Sequence, residues 1–483
     1  MCPSSDRSLE ETLLEYARSD LLPMHMPGHK RRGSPSGENL PFALDVTEVE
    51  GMDDLHDAHG ILAEGMARAA ALYGSDRAFY LVGGSTVGIL AAIRAAVRPG
   101  DAVILARNCH RSVYHAAELC RLRPHYLMPS AELDFGVCAS ISPDALARAL
   151  EDCPDARLAV ITSPTYEGVI SDVAALASLC HKRGIPLLVD QAHGAHLGFG
   201  GLPAGAVAVG ADLVVQSLHK TLPSLTQTAL LHVSGNRIDS AAVERQLSVF
   251  ETSSPSYPLM ASIDRCVRRM DKQGEVLARS YLERLEGFDR AISSLRALRL
   301  LCHGGQARPA CFYDYDPGKV FVSCRGVQRK GRPLTGRALA GLLREEYRIE
   351  TEMATAFGVL AMTSMCDTRQ ALGRLSDALL AIDRECEPGE GEALPPLPPL
   401  PEAVLSIEEA LLSPAEALPA GRCAGRISAE YVWAYPPGVP LLAPGERISP
   451  AMLGHLDDLA AQDVSLRSTS RGLPDTLQVI AAR

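Results

Sequence analysis

The sequence predicts an α/β fold, with a mainly parallel central sheet covered by helices, then a smaller α/β domain and a C-terminal domain. From about residue 77 onward, apolar runs of strand length alternate with helical patterns, which is the signature of strands joined by crossover helices. The runs are continuously apolar, as strands buried on both faces require. With 483 residues, 47% of them hydrophobic, the chain is long enough to bury more than one core.

The strand candidates are "RAFYLVG", "DAVILAR", "ARLAVIT", "IPLLVD" and "ADLVVQS". Helical stretches such as "TVGILAAIRAAV" and "DVAALASLCHKRG" lie between them, the second closed by Gly184. Upstream, Ser8 and Glu11 form a capping-box pattern, and "LLPMHMPGHKRRGSPSG" is too rich in Pro and Gly for anything but an irregular arm. Residues 258–295 read as long helix, and 296–385 mix short strands with helices such as "GRALAGLLREEY". Six prolines between Pro388 and Pro401 mark a stiff connector, after which Ser406 and Glu409 cap a new helix. The stretch "YPPGVPLLAPGE" (435–446) reads as a loop without regular structure. The expected division is an arm at 1–45, a large domain at 46–295, a small domain at 296–385, a linker at 386–405 and a C-terminal domain at 406–483.

Composition excludes several classes. The 47 Lys and Arg against 58 Asp and Glu give a net charge of −11, which argues against a general nucleic-acid binder; only His29 to Arg32 cluster positive charge. The first residues do not resemble a secretory leader, and no apolar run approaches the ~20 residues that span a bilayer, so a cytoplasmic protein without membrane contact is expected. The 13 cysteines are scattered, with neither a CxxC pair nor a disulfide framework, and read as buried thiols.

Chemistry is sought at the carboxyl ends of the strands, where ligands of open parallel sheets bind. One strand ends at Asp190 and another just before Lys220. An acid and a lysine so placed suit pyridoxal phosphate: the lysine holds the aldehyde as a Schiff base and the acid keeps the pyridine nitrogen protonated. A solvated lysine beside a helix start is the alternative reading of that pair. "YLVGGSTVG" supplies Gly83, Gly84, Ser85 and Thr86 before a helix, a phosphate cradle or an ordinary cap. His110 follows another strand and either lies on the cofactor ring or hydrogen-bonds a neighbouring loop. The pairs His56/His59 and His193/His196 lack the HExxH spacing of zinc hydrolases, and no metal is expected.

Together these stretches resemble the pyridoxal-phosphate-dependent ornithine/lysine/arginine decarboxylases of aminotransferase fold type I. The matching stretches run through nearly the whole chain: "HMPGHK", "DVTEVEGMDDLHDAHG", "GGSTVG", "NCHRS", "SPTYEG", "DQAHGAH", "SLHKTLPSLTQ" and "YPPGVPLLAPGE". The resemblance implies that Lys220 carries the cofactor, Asp190 pairs with its ring nitrogen, and His110 and Ala192 cover the two ring faces. It further implies that Ser85, Thr86, Ser217 and His219 bind phosphate, with Gly84 giving backbone access and His193 among the cofactor contacts. Thr252, Ser253 and Ser254 would reach the phosphate of a neighbouring subunit, making a homodimer the smallest working unit. Lys220 and His219 are the implied proton donors to the α-carbon.

Three departures stand out: Glu167 where the family motif has a second tyrosine, Gln191 where an acid often stands, and a more basic "HKRRG" arm. Glu167 either meets a cationic substrate group or faces solvent. The short form resembles the biosynthetic enzymes of polyamine metabolism, so arginine is the expected substrate, giving agmatine, with lysine or ornithine, giving a diamine, as the other candidates. Aminotransferases and lyases share the lysine, acid and phosphate loop, and a silent cofactor-binding protein would keep them too; "YPPGVPLLAPGE" and "DVTEVEGMDDLH" favour decarboxylation by resemblance.

Overall fold

The computed structural model describes residues 20, 22–24, 53–389, 399–434, 439–461 and 464–482. Its centre is a seven-stranded sheet formed by β1 (Arg77–Leu81), β2 (Ala102–Ala106), β3 (Arg123–Leu127), β4 (Ala156–Thr162), β5 (Leu187–Asp190), β6 (Leu213–Ser217) and β7 (Ala229–Val233). The spatial order is β1-β7-β6-β5-β4-β2-β3. Only β7 runs against the others. Every residue of β2, β5, β6 and β7 is buried, which is why these strands read as continuous apolar runs.

Helices cover the sheet closely where small residues allow it. The helix Gly84–Ala96 crosses above β1 and β6 at Gly88, where an added Cβ would lie 2.6 Å from Leu81 and 3.1 Å from Val215. Gly184, in the left-handed region at φ +71°, follows the helix Val173–Lys182.

Beyond the sheet, the helix Tyr257–Ile292 runs for 36 residues, about 54 Å. Its buried stripe, including Met260, Ile263, Val267 and Met270, joins one apolar cluster with Val320, Val322, Val359 and Leu379. The expected small α/β unit is built on an antiparallel sheet: Lys319–Ser323 lies between Arg299–Leu300 and Gly358–Met362, and Met353–Ala354 takes the far edge. Thr335 caps the helix Gly336–Glu345 by accepting from Ala338 N. After residue 399, the Ser406/Glu409 capping box is present, although its helix is only Ile407–Leu412. The strands and the helix Pro450–Ala461 that follow enclose a core of their own around Val432, Leu442, Ile448 and Leu477.

Several expectations need correction. Part of the supposedly irregular arm, Leu22–Met24, is a strand running parallel to Ile349–Thr351, and its backbone groups are satisfied by that partner despite Pro23. "YPPGVPLLAPGE" contains the strand Val439–Leu442, paired with Val432–Ala434; alternating burial stabilises it although Pro440 removes one donor. Cys386–Pro388, placed in the linker, pairs with Val327–Arg329. The Ser8/Glu11 box, the basic cluster at 29–32 and residues 390–398 lie outside the described residues. Among those described, no helix is long and apolar enough to cross a membrane.

Candidate active site

Five strands deliver loops to one edge of the sheet. β1 leads into Gly83–Thr86, β2 into His110, β4 into Tyr166 and Glu167, β5 into Ala192 and His193, and β6 into His219 and Lys220. Register sets their heights: Ser217 of β6 faces Ala229 of β7, which faces Leu81 of β1, so the loops after β1 and β6 emerge level. The hydroxyls of Ser85 and Ser217 accordingly bond each other directly.

Lys220 sits in the single turn Leu218–Thr221 at the end of β6. Burial pushes its ammonium below the usual lysine range, while the charges of Asp190 and Glu352 oppose that shift. Its Nζ lies 3.0 Å from His193 Nε2. Asp190 is buried, which raises its carboxyl pKa, whereas Lys220 and the Ala192 N–H, donated to Oδ1 at 3.1 Å, pull it down. A buried acid of this kind is stabilised by a cationic partner.

His110 caps the helix Arg111–Leu119, its Nδ1 accepting from Ser112 N at 3.3 Å, so that nitrogen bonds its own helix rather than a neighbouring loop. Burial first, and then Lys220, lower its pKa to about 3, leaving a neutral ring. His219 Nδ1 donates to the Thr228 carbonyl at 3.0 Å, which fixes its tautomer. Thr86 is exposed in the first turn of its helix, and Thr252, Ser253 and Ser254 are exposed in this single chain. Ser254 N donates to Thr252 Oγ1, and His56 Nε2 donates to the Thr252 carbonyl at 2.8 Å.

The two departures beside the site also find partners. Gln191 accepts from Gln216 Nε2 at 2.9 Å, and Gln216 Oε1 accepts from His232 Nε2 at 3.2 Å, forming a buried neutral chain. Glu167 is half-buried; burial raises its pKa, and Thr165 together with the charge of Lys319 lowers it. The histidine pairs diverge: His193 lies between Lys220 and Lys319, whereas His196 bonds Asp316 at 3.0 Å.

The chain's own residues fit pyridoxal phosphate. Gly84, at φ +77°, turns the backbone at the helix start, and a Cβ added there would meet nothing closer than Gln227 O at 3.8 Å. That leaves a cradle with adjacent hydroxyls for a phosphate, a lysine held toward its neutral form, and an acid for the ring nitrogen.

Sequence reading missed four contributors. Glu251 Oε1 accepts from Val82 N at 2.6 Å and Gly83 N at 3.0 Å, pinning the approach to the glycine turn at Gly83 and Gly84. The Tyr166 ring lies 4.4 Å from His193, and its hydroxyl donates to Glu352. Lys319 is 1% exposed. A lysine opening the apolar run "KVFVS" was the available signal for it. Arg107, at the end of β2, forms a buried two-point ion pair with Glu446 at 2.5 and 3.0 Å.

This topology and site define a pyridoxal-phosphate enzyme of fold type I. The structure resembles the Escherichia coli constitutive lysine decarboxylase with TM-score 0.75 and 20% identity, covering 98% of this chain and 81% of that one. It also resembles SPT solved with PLP, with TM-score 0.50 and 16% identity over 67% of this chain and 76% of that one. The family model for the Orn/Lys/Arg decarboxylase major domain matches residues 8–371, and that for the C-terminal domain matches 401–465. A relative named arginine decarboxylase, from Halalkalibacterium halodurans, is 31% identical over 97% of this chain and 96% of its own length. The chain belongs to the Orn/Lys/Arg decarboxylase family and is a pyridoxal-phosphate-dependent decarboxylase of basic amino acids.

Proposed function

We propose that the chain decarboxylates arginine to agmatine, within polyamine synthesis, as a cytoplasmic homodimer. One observation carries the assignment of the site: Lys220 is half-buried at the end of β6, on the same sheet edge as Asp190, with its amine 3.0 Å from His193. Arginine is chosen over lysine and ornithine because of the similarity to the arginine decarboxylase of Halalkalibacterium halodurans along nearly the full length of both chains.

When bound, the cofactor supplies an electron sink that lets the substrate's α-carboxylate leave as carbon dioxide. Lys220 holds the cofactor and Asp190 keeps its ring nitrogen protonated. His110 and Ala192 would contact its ring. Gly84, Ser85, Thr86, Ser217 and His219 hold the phosphate, and Thr252–Ser254 serve the partner's site. Glu167 and Glu352, both half-buried, are the carboxylates that would face the cationic end of the substrate, a charge-assisted pairing. Lys220 remains the candidate proton donor to the α-carbon; His219 Nδ1 is committed to Thr228, so only its Nε2 can share that role. The domain division at residues 46, 296, 386 and 406 belongs to the same reading.

Carbon dioxide release measured side by side from arginine, lysine and ornithine tests the substrate. The expected order places arginine first by at least tenfold in kcat/KM, roughly 1.4 kcal/mol. Lys220→Ala is expected to lose both the visible absorbance of the bound cofactor and carbon dioxide release. Release that survives this change would remove Lys220 from its role.

A further inference from the structure

Lys319 borders the site without a role assigned to it, and it is among the largest fully buried side chains of the described residues. A lysine ammonium is costly to bury unless other groups demand it. Its Nζ lies 3.0 Å from His193 Nδ1, and the opposite ring nitrogen, Nε2, lies 3.0 Å from Lys220 Nζ. Two lysines therefore flank one imidazole. A neutral imidazole has one N–H and one bare nitrogen, so one lysine must donate to it while the other accepts from it.

Lys220 has to present an unprotonated nitrogen to bind an aldehyde, and that settles which lysine accepts. We propose that Lys319 is a positioning residue: as an ammonium it donates to His193 Nδ1, fixes the Nε2–H tautomer and aims that N–H at the Lys220 nitrogen, opposing a proton there. The proposal rests on Lys220 being the lysine that carries the cofactor.

The surroundings of each group agree with this polarity. Lys319 faces Asp316 of its own turn and Glu167 of the loop after β4, and its charge lowers the pKa of both acids. Asp316 is itself fully buried and bonded to His196 and Gly318 N, so it supplies a fixed negative charge beside Lys319. His193 is faced by Lys220 and His219 after β6, by His110 after β2, by the Tyr166 ring after β4, and by Lys319. Burial leads, and Lys220 and Lys319 follow, in holding His193 well below the usual histidine range, so it stays neutral. Lys220 is faced by Asp190 and Glu352. Gly168 makes the approach sterically possible, because a Cβ there would lie 2.7 Å from Lys319 Cβ and Cγ.

The test uses the holoenzyme. Borohydride trapping identifies the cofactor-bearing lysine; a label on any residue other than Lys220 overturns the site assignment and this inference with it. With the label on Lys220, the pH midpoint of the cofactor's visible absorbance is compared in wild type, Lys319→Met and Lys319→Arg. Removing the charge is expected to raise the midpoint by about one unit or more, and the arginine variant to return it toward wild type. A midpoint unmoved in Lys319→Met sinks the proposal. A purely packing role would lower stability without moving that midpoint. Should the methionine variant fail to fold, nitrogen-15 spectra of histidine-labelled wild type decide, with His193→Gln used to assign the signal: protonation at Nε2 supports the proposal, and protonation at Nδ1 overturns it.

Discussion

Asp53 shows how much one side chain organises. Its carboxylate accepts backbone N–H groups from Asp54, His59, Gly60 and Leu62 at 2.8 to 3.0 Å, ahead of the helix Ile61–Tyr73. Burial alone would raise its pKa, but these donors pull it down to about 2 from 3.8. A depressed carboxylate contributes stability that is fully present above pH ~4 and lost as pH falls through about 2. Asp53→Ala is therefore expected to lower stability at pH 7 by about 1–3 kcal/mol, with the deficit shrinking toward pH 2; denaturant titrations across that range check it. At this scale the sequence marked Asp190 at the end of its strand and Lys220 and His110 shortly after theirs, because an apolar run that stops is visible locally. Lys319 and Glu251 stayed hidden because each reaches the site from a distant segment, and their neighbours are set by folding rather than by spacing.

Among the elements, the loop after β4 packs closely on the segment that carries Lys319. Gly168 has φ +105°, a conformation side chains rarely adopt, and it packs on Lys319 and the Asp316 carbonyl. Gly168→Ala is expected to cost about 1–3 kcal/mol in thermal or denaturant unfolding and to reduce kcat by tenfold or more, since Lys319 must move away from His193. Unchanged activity would show that this loop does not hold Lys319 in place. The strands β1, β2, β4, β5 and β6 were legible because apolar continuity is a local property. The strand Leu22–Met24 was not, because its stability comes from a partner more than three hundred residues away.

Across the whole molecule, the segment after residue 399 is tied to the sheet near the site. Arg107, three residues before His110, holds Glu446 in a buried pair and also donates to the Leu441 carbonyl at 2.9 Å. Its guanidinium lies 4.6 Å over the Tyr126 ring. Tyr431 adds a second link by donating to Glu118 at 3.2 Å. Removing one partner of a buried pair strands the other charge, so Glu446→Ala is expected to cost about 3–5 kcal/mol in denaturant unfolding. Glu446→Gln, which keeps one acceptor oxygen for Arg107 but loses the second acceptor and the charge, is expected to lose less than the alanine variant. Equal stability of both variants and wild type would show that the pair does not fasten the two parts.

The sequence by itself determined the strand-and-helix alternation, the lysine and acid at strand ends and the glycine turn before its helix, because burial periodicity and backbone freedom are written in neighbouring residues. Only the tertiary structure decided that Lys319 stands behind His193, that Glu251 holds the glycine turn after β1 and that Glu446 closes on Arg107. Those contacts join residues from 126 to 339 positions apart. Their cause is the cost of leaving a charge without a partner once the surrounding core has excluded water.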